Sequence, residues 1–455
     1  MNTRRLIRII IVTAVLFGSV ETSSFAKSKI TVRKKELKNI EKTAEKDTSL
    51  PERPTLNDYI SAGLSRSPDL RASFYEWKAR FQKITQAFSL PDPQFTYTEY
   101  LEEVETRVGP QRRAYEVMQK IPLPDTLWIR KNKAFRASEE AYYGFEKKRL
   151  DLIQEITDAY YEYAYLARAI ALTDENMKLL QSFESVAQTR YSSGLAKNQD
   201  LLKVQVELGK LENDLLSLKD LRKPLVSRLN ALLNLPEDYD LPWPDETLES
   251  INFNDAYNAD TSGLIDRLKN NNPELRSLSE KVEKNKEDLR LSRRDYFPDV
   301  AVGVKTIDTG DALNPNMKDS GNDPIMLMVT VNVPVWFWRI NAKIEESRSM
   351  VRAAQNSHEA KKQELLSKLS LIHYKLRDAV RQADLYKGAL IPKARQTLNA
   401  TNSGYQAGHV DFLSLIDAQR VLLNFQLAYY RHAADIHQRL ADLNKLLGII
   451  ENIDD

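Results

Sequence analysis

The chain has 455 residues, with 66 basic and 64 acidic side chains, 14 glycines and no cysteine. Without cysteine we expect no disulfide framework, no thiolate metal site and no lipid-bearing N-terminal cysteine, and the even charge balance excludes a field of one sign that could hold nucleic acid. The low glycine content and the abundance of Leu, Ala, Glu, Lys, Gln and Arg favour long helices.

Residues 1–26 have the pattern of a secretory signal. Three arginines precede an apolar run over 9–20, and the segment ends in Ala26, a small residue suited to cleavage. This run is too short to cross a bilayer core of ~30 Å, for which a helix needs about 20 residues. We predict a mature chain that starts at Lys27 with 63 basic and 63 acidic residues, since the leader removes three arginines and one glutamate. Residues 27–54 are expected to form a flexible mature N-terminus.

From residue 55 the chain contains two copies of one design. The first copy covers 55–235 and the second 262–449, with a linker over 236–261 rich in Pro, Asp, Asn and Glu, and a C-terminal tail over 450–455. Short strings recur in the same order in both copies, which a tandem duplication explains better than chance. The recurring pairs include Ser67-Pro68-Asp69-Leu70-Arg71 with Asn272-Pro273-Glu274-Leu275-Arg276, Tyr160 with Tyr374, Gly194 with Gly408, and Gln205 with Gln419.

Each copy is predicted to have the same order of elements. An amphipathic helix comes first, a β-hairpin with a polar loop follows, and a long helical hairpin ends the copy. These elements are predicted over 55–88, 94–121 and 125–235 in the first copy, and over 262–294, 298–335 and 341–449 in the second. Gly194 and Gly408 mark the turns of the helical hairpins, where a residue with positive φ is favoured.

The strands are most distinct in the second copy, where apolar and other residues alternate. This alternation is typical of a barrel wall in which one parity faces lipid. A soluble hairpin is the alternative interpretation. Four strands cannot close a barrel of lipid-spanning width, so the chain would have to oligomerise to remove its sheet edges. The residues predicted to face lipid are Val300, Val302, Val304, Leu327, Val329 and Val331.

The long helices carry a coiled-coil pattern. A seven-residue repeat from Leu201 to Leu232 places apolar residues at nine of ten core positions, which is enough to predict coiled-coil packing. A helix over 125–191 would be ~100 Å long at 1.5 Å per residue, and the two shorter helices of its copy together match that span. Pro224 and Pro392 interrupt long helices and are interpreted as architectural kinks.

The chain resembles the TolC-type outer-membrane efflux factors, and within them the heavy-metal-efflux, CusC-like branch. The resemblance covers nearly everything after residue 55 and depends on the duplicated order of the motifs more than on any one string. The motifs are Arg190-Tyr191-Ser192-Ser193-Gly194-Leu195, Tyr405-Gln406-Ala407-Gly408, Asp417-Ala418-Gln419-Arg420 and Leu90-Pro91-Asp92-Pro93.

This resemblance implies a mainly α fold with a small β part. Duplicated helical hairpins would form an α-helical barrel, and four strands per chain would contribute to a trimeric 12-stranded transmembrane β-barrel. The implied protein is a homotrimer in outer-membrane lipid with a large periplasmic extension. It would passively conduct cargo delivered by a periplasmic adaptor (membrane fusion protein) and an inner-membrane pump, and the cargo could be a metal ion, a drug or a secreted protein.

The resemblance also suggests two groups of functional residues. The hairpin tips would contact the adaptor, although their residues also suit a simple turn between two helices. The tip residues are Arg190, Ser193, Gly194, Leu195, Ala407, Gly408 and His409. Acidic positions beyond the tips would constrict the tube as a periplasmic aperture and would attract cations, although they also suit a solvated helix face. These positions are Asp200 and Asp417, and Ser414 stands where a second acid can occur.

No pattern for catalysis or cofactor binding is present. There is no nucleophile–base arrangement, phosphate loop or nucleotide fingerprint, and the five histidines form no i,i+4 pair, so we expect no enzymatic activity, no cofactor and no metal site. A periplasmic coiled-coil adaptor or scaffold is the alternative function. Such a protein would normally have one hairpin flanked by compact β-domains, whereas this chain has two hairpins and barrel-like strands.

Overall fold

The chain folds into two similar halves that share one four-stranded sheet and one bundle of long helices. The structure, a computed structural model, describes residues 24–43, 50–51, 54–194, 197–244, 248, 261–314 and 316–449. Most of the predicted signal and of the linker, all of the tail over 450–455, and Leu195 lie outside these residues. Within them, no helix combines the length and the apolar character that crossing a membrane requires.

The elements of the first half follow a preceding helix, α1 (Ser24–Thr43). They are α2 (Leu56–Arg66), α3 (Pro68–Phe88), β1 (Gln94–Val104), β2 (Gln111–Ile121), α4 (Pro124–Ser192) and α5 (Asn198–Leu233). The second half contains α6 (Thr261–Asn271), α7 (Pro273–Arg294), β3 (Asp299–Thr309), β4 (Ile325–Asn332), α8 (Phe337–Leu385), a π-helix (Tyr386–Leu390), α9 (Ile391–Gln406) and α10 (Phe412–Leu447).

The first helix of each copy is in fact two helices, which corrects the single helices predicted over 55–88 and 262–294. The break falls at the repeated Ser-Pro and Asn-Pro strings. Ser67 accepts a hydrogen bond from the backbone N–H of Leu70 at 3.3 Å, and Asn272 accepts one from Leu275 at 3.0 Å. A proline in the first turn then ends the preceding helix and starts the next one. The repeated motif is therefore a helix N-cap.

The segment predicted to be a flexible N-terminus contains most of α1, which packs on the first half. Leu37 of α1 is buried against Leu70, Phe74, Trp77 and Phe145 of α3 and α4. Arg33 also pairs with Glu139 of α4, as shown by a distance of 2.9 Å between Nε and Oε1. The difference from the expectation arises because the sequence of α1 is rich in charge and gives no strong helical pattern on its own.

The sheet has the order β1-β2-β3-β4, and every neighbouring pair is antiparallel. The two halves meet at β2 and β3, where Val117 lies opposite Val304. β1 and β4 are the outer strands. Each therefore presents backbone donors and acceptors that have no partner strand among the residues that the structure describes.

The helices form a layer that, like the sheet, ends in an outer element on each side. Near the sheet, α3 and α7 pack on α4, and α8 packs on α7; farther away, α5 packs on α4, α4 on α10, and α10 on α8 and α9. The core of this layer is apolar and contains fully buried tyrosines, including Tyr160 and Tyr163 of α4. The outer helices are thus α3 and α5 on one side and α8 and α9 on the other.

The long helix of the second half is interrupted by the π-helix, whereas α4 in the first half is continuous. The backbone N–H of Ile391 donates to the carbonyl of Tyr386, five residues earlier. Pro392 follows at once, and its ring would clash with the carbonyl of Gly388 in a regular helix. The wider π turn relieves that clash. Pro224, by contrast, lies inside the uninterrupted helix α5.

Candidate functional site

One face of the sheet is apolar across all four strands. The register places Val302 opposite Val329, Val300 opposite Val331 and Val304 opposite Leu327. The six residues predicted to face lipid therefore lie on one face. Leu327 and Val329 are 74% and 61% exposed, so no part of the described chain covers this face. The first half extends it with Phe95, Tyr97, Tyr115 and Val117.

Exposed aromatic side chains mark the level at which the helices meet the strands. Phe88 ends α3 and packs edge-on against Trp128 in α4, with 5.4 Å between ring centroids. Trp336 and Trp338, at the start of α8, have centroids 5.0 Å apart, and Trp338 is 67% exposed. Aromatic girdles of this kind flank the apolar band of transmembrane barrels.

The turns of the two helical hairpins lie together at the end of the bundle farthest from the sheet. Gly194 and Gly408 have φ values of 71° and 78°, the left-handed conformation that favours glycine at the end of a helix. Arg190 joins the two turns, since its Nη1 donates to the carbonyl of Gln406 at 2.7 Å. Its guanidinium also lies 5.0 Å from the ring centroid of Tyr405.

The other predicted tip residues surround this link on the surface. Ser193, Ala407 and His409 are exposed. Tyr405 is buried beneath them against Phe412, with ring centroids 5.1 Å apart. Burial raises the pKa of Tyr405, and the nearby carboxylate of Asp200 contributes in the same direction. Asp200 therefore lies close to the tip of the second hairpin, although it belongs to the first.

The predicted aperture residues Asp417 and Ser414 have specific partners. Nη1 of Arg420 lies 3.1 Å from Oδ1 of Asp417. Ser414 donates its backbone N–H to the carboxylate of Asp411 at 3.1 Å, which makes Asp411 the N-cap of α10. Asp411 was missed by sequence reasoning, although an acid immediately before the first helical residue is a recognised capping signal.

Two further residues that sequence reasoning did not connect link the two halves near the tips. Arg420 of α10 binds Glu207 of α5 through two hydrogen bonds, Nε to Oε1 at 3.0 Å and Nη2 to Oε2 at 2.8 Å. Hydrogen bonding by Arg420 lowers the pKa of Glu207. The stabilisation from this pair is therefore complete above the ordinary pKa of a glutamate and is lost as the pH falls through the lowered value. No local signal identifies this pair, because its members are 213 residues apart.

The site residues thus form two separate groups. The apolar sheet face and its aromatic border lie at one end of the molecule, and the tip and aperture residues lie at the other. Among the residues that the structure describes, no three His, Cys, Asp or Glu side chains are arranged to hold a metal ion.

Comparison with known proteins identifies relatives along most of the chain. The family model described as outer membrane efflux protein matches residues 59–235 and 264–449. Cobalt-zinc-cadmium resistance protein CzcC of Cupriavidus metallidurans is 22% identical over 87% of this chain and 90% of its own length. Toxin and drug export protein A of Aggregatibacter actinomycetemcomitans is 25% identical over 41% of each chain. The chain spans less than half the length of the first curated relatives it matches.

The fold is also that of solved channel structures. A structure of CusC, which concerns conformational changes that accompany transmembrane channel formation, superimposes with a TM-score of 0.73 and 12% identity over 87% of this chain and 92% of CusC. The predicted fold class, a mainly helical chain with duplicated hairpins and four strands, is confirmed. With both copies matched by the family model, the chain belongs to the outer membrane efflux protein family.

Proposed function

We propose that three copies of this chain form a passive duct of a tripartite export system, which conducts cargo delivered by a periplasmic adaptor and an inner-membrane pump. The observation that carries this proposal is that the sheet and the helix layer have their outer, unpaired edges on the same two sides of the molecule. One side consists of β1, α3 and α5 from the first half, and the other of β4, α8 and α9 from the second half. When a chain has two different unpaired sides, one side of each copy can pack on the other side of the next copy, and the copies then close into a ring.

The outer helices carry apolar side chains that such a ring would bury. On α5, Leu202, Val206 and Leu216 are exposed, and their spacing of four and ten residues keeps them on one stripe of the helix. On α8, Leu371, Tyr374 and Leu385 are exposed in the same way. Packing α5 of one copy on α8 and α9 of the next would cover both stripes. At the same time β1 would pair with β4 and remove the sheet edges.

The apolar sheet face supports the orientation of the ring in the membrane. The strands are 8 to 11 residues long, close to the 9–11 residues of a tilted membrane-spanning strand. With the valine-rich face outward, lipid would cover the residues that are exposed in the single chain. The aromatic border would then lie at the periplasmic interface, and the helices would extend into the periplasm.

The other end of the molecule is suited to contact with an adaptor. The exposed tip residues Ser193, Ala407 and His409 lie farthest from the membrane, and the link from Arg190 to Gln406 presents both turns as one surface. The similarity to a cobalt-zinc-cadmium resistance protein favours metal ions as cargo, and we extend the proposal to the heavy-metal branch of the family. The drug- and toxin-export relative makes organic compounds the second cargo class.

Fractionation tests the duct directly. We expect the mature chain to start at Lys27, to be extracted from the outer membrane, and to have the cross-linked mass of three copies, because the open sides cannot be satisfied in one chain. N-terminal sequencing and chemical cross-linking of the extracted protein measure this. A periplasmic monomer would contradict the proposal.

The aperture gives a second test. Replacing Asp200 and Asp417 with Ala removes two carboxylates per chain from the proposed narrow end. We expect a larger single-channel conductance and a weaker cation preference in planar bilayers, with unchanged trimer yield, because a ring of carboxylates attracts cations and can hold neighbouring helices together. Each exposed ion pair contributes only ~0–1 kcal/mol, so the double variant is the appropriate test.

Arg420→Ala separates the effect of the two aspartates on cation preference from their effect on the packing of neighbouring helices. This change removes the bond to Glu207 while both aspartates remain, so conductance should rise and the cation preference should be kept. Glu212→Ala, an exposed acid elsewhere on α5, is the matched control and should change neither quantity. Identical channels in the wild type and the double aspartate variant would assign Asp200 and Asp417 to an ordinary solvated helix face.

A further inference from the structure

The contact between the two halves of the sheet has a defined register. β2 of the first half pairs with β3 of the second, and there Val117 lies opposite Val304 and Met118 lies opposite Gly303. Val117 and Val304 belong to the apolar face, so their neighbours Met118 and Gly303 belong to the other face. This contact joins one copy of the repeat to the other.

The duplication shows which strand of one half corresponds to which strand of the other. β1 and β3 each start at or just after a Pro-Asp pair, and β2 and β4 each end before a proline. These motifs are Pro91-Asp92 with Pro298-Asp299, and Pro122 with Pro334. Aligning them makes Tyr97 of β1 the counterpart of Val304 in β3, and Val329 of β4 the counterpart of Val117 in β2.

The registers inside the two hairpins agree with this alignment. In the first hairpin Phe95 lies opposite Val117. In the second hairpin their counterparts, Val302 and Val329, also lie opposite each other. The alignment therefore describes equivalent backbone positions, in addition to recurring motifs.

The contact between the halves has an equivalent between neighbouring copies of the chain. β4 corresponds to β2 and β1 corresponds to β3, and both β4 and β1 are outer strands. We infer that β4 of one copy pairs with β1 of the next copy in the register that sets Val329 opposite Tyr97 and Thr330 opposite Thr96. This inference rests on the proposed ring, and it specifies which residues meet where the ring closes.

The side chains suit this register on both faces. Tyr97 and Val329 are 47% and 61% exposed in the single chain, and an aromatic ring and a β-branched side chain pack favourably as cross-strand neighbours. On the other face Thr96 and Thr330 form a pair of hydroxyls that can hydrogen-bond. A slip by one residue would set Val329 opposite Thr96 or Thr98, and the apolar face of one copy would then continue into the polar face of the next.

Disulfide formation tests the register, and the chain is suited to this test because it has no cysteine of its own. Thr96→Cys/Thr330→Cys places one thiol on each outer strand. Within one chain these strands are three strand spacings apart, roughly 14 Å, whereas a disulfide requires Cα atoms within ~7 Å. Oxidation of the protein in outer membranes should therefore shift it to the mass of two and three chains in a denaturing gel, and a reductant should restore the mass of one chain.

Two displaced pairs are the matched controls for this experiment. Gln94→Cys/Thr330→Cys and Thr98→Cys/Thr330→Cys keep both thiols on the same face, but their Cα atoms would be ~7–8 Å apart in the inferred register. These pairs should leave most of the protein at the mass of one chain. Thr96→Cys/Glu116→Cys, whose residues lie opposite each other inside the first hairpin, should lose its free thiols on oxidation without a change in mass.

Tyr97→Cys/Val329→Cys repeats the test on the apolar face and keeps it decisive if the threonine variant does not assemble. A stronger cross-link from either displaced pair would overturn the register and leave the ring intact. Trimers held together by an amine-reactive cross-linker, without a disulfide between chains in either opposed pair, would have the same meaning. A chain that stays at the mass of one copy with both kinds of cross-linking would refute the duct itself.

Discussion

Val329→Arg is expected to prevent assembly of the proposed trimer in the outer membrane. Val329 lies on the apolar sheet face opposite Val302 and is 61% exposed in the single chain. An arginine on the lipid face near the bilayer midplane costs ~2–4 kcal/mol, and every chain of a trimer would carry one. The amount of trimer in the outer-membrane fraction, detected by its heat-dependent migration in gels, measures the effect. Val302→Arg should behave in the same way.

Thr330→Arg is the matched control for this prediction. Thr330 is the next residue of the same strand and belongs to the opposite face, where an arginine would point into water if that face lines the pore. Its trimer yield should remain close to that of the wild type, and so should that of Ala301→Arg. Equal losses for both faces would indicate that strand packing, and not contact with lipid, makes the valine face sensitive.

Arg33→Leu is expected to detach α1 from the rest of the protein. Glu139 is only 1% exposed and binds Arg33 through Nε at 2.9 Å and Nη2 at 3.3 Å. Burial opposes the charge of Arg33, but hydrogen bonds to Glu139 and Glu36 outweigh this and raise its pKa. Removing one partner of a buried pair costs about 3–5 kcal/mol because the other charge stays buried. Undocking α1 would return Glu139 to water.

Hydrogen exchange of the backbone amides over 29–40 measures this detachment, which should reduce protection to the level of an unfolded segment. Arg33→Leu/Glu139→Leu buries no charge and should recover most of the protection, since an apolar pair can replace a buried ion pair. Lys34→Leu, on the exposed side of α1, is the control and should leave protection unchanged. Full protection in Arg33→Leu alone would mean that Leu37 and its apolar contacts hold α1 without the ion pair.

Several features of the fold could be predicted because they depend on local periodicity. Alternation along β3 and β4 identified the residues that share the apolar face, since side chains in a strand alternate between two sides. The heptad pattern of α5 indicated coiled-coil packing, and Val204, Leu211 and Leu215 are buried. The cap at Ser67 and Asn272 was also a local signal, but its recurrence was interpreted only as evidence of duplication, so the helix break was missed.

Local sequence patterns were sufficient to predict the duplicated design, the helical and strand segments, the hairpin turns and the apolar face, because each depends on residues that are near neighbours along the chain. The pairing of distant residues, in contrast, is visible only in the folded chain. Glu139 pairs with Arg33, which is 106 positions away, and Glu207 pairs with Arg420, which is 213 positions away. The pairing of distant residues depends on strand register and on the packing of one helix against another. Neither is encoded in a local pattern, since the same periodicity is compatible with many registers.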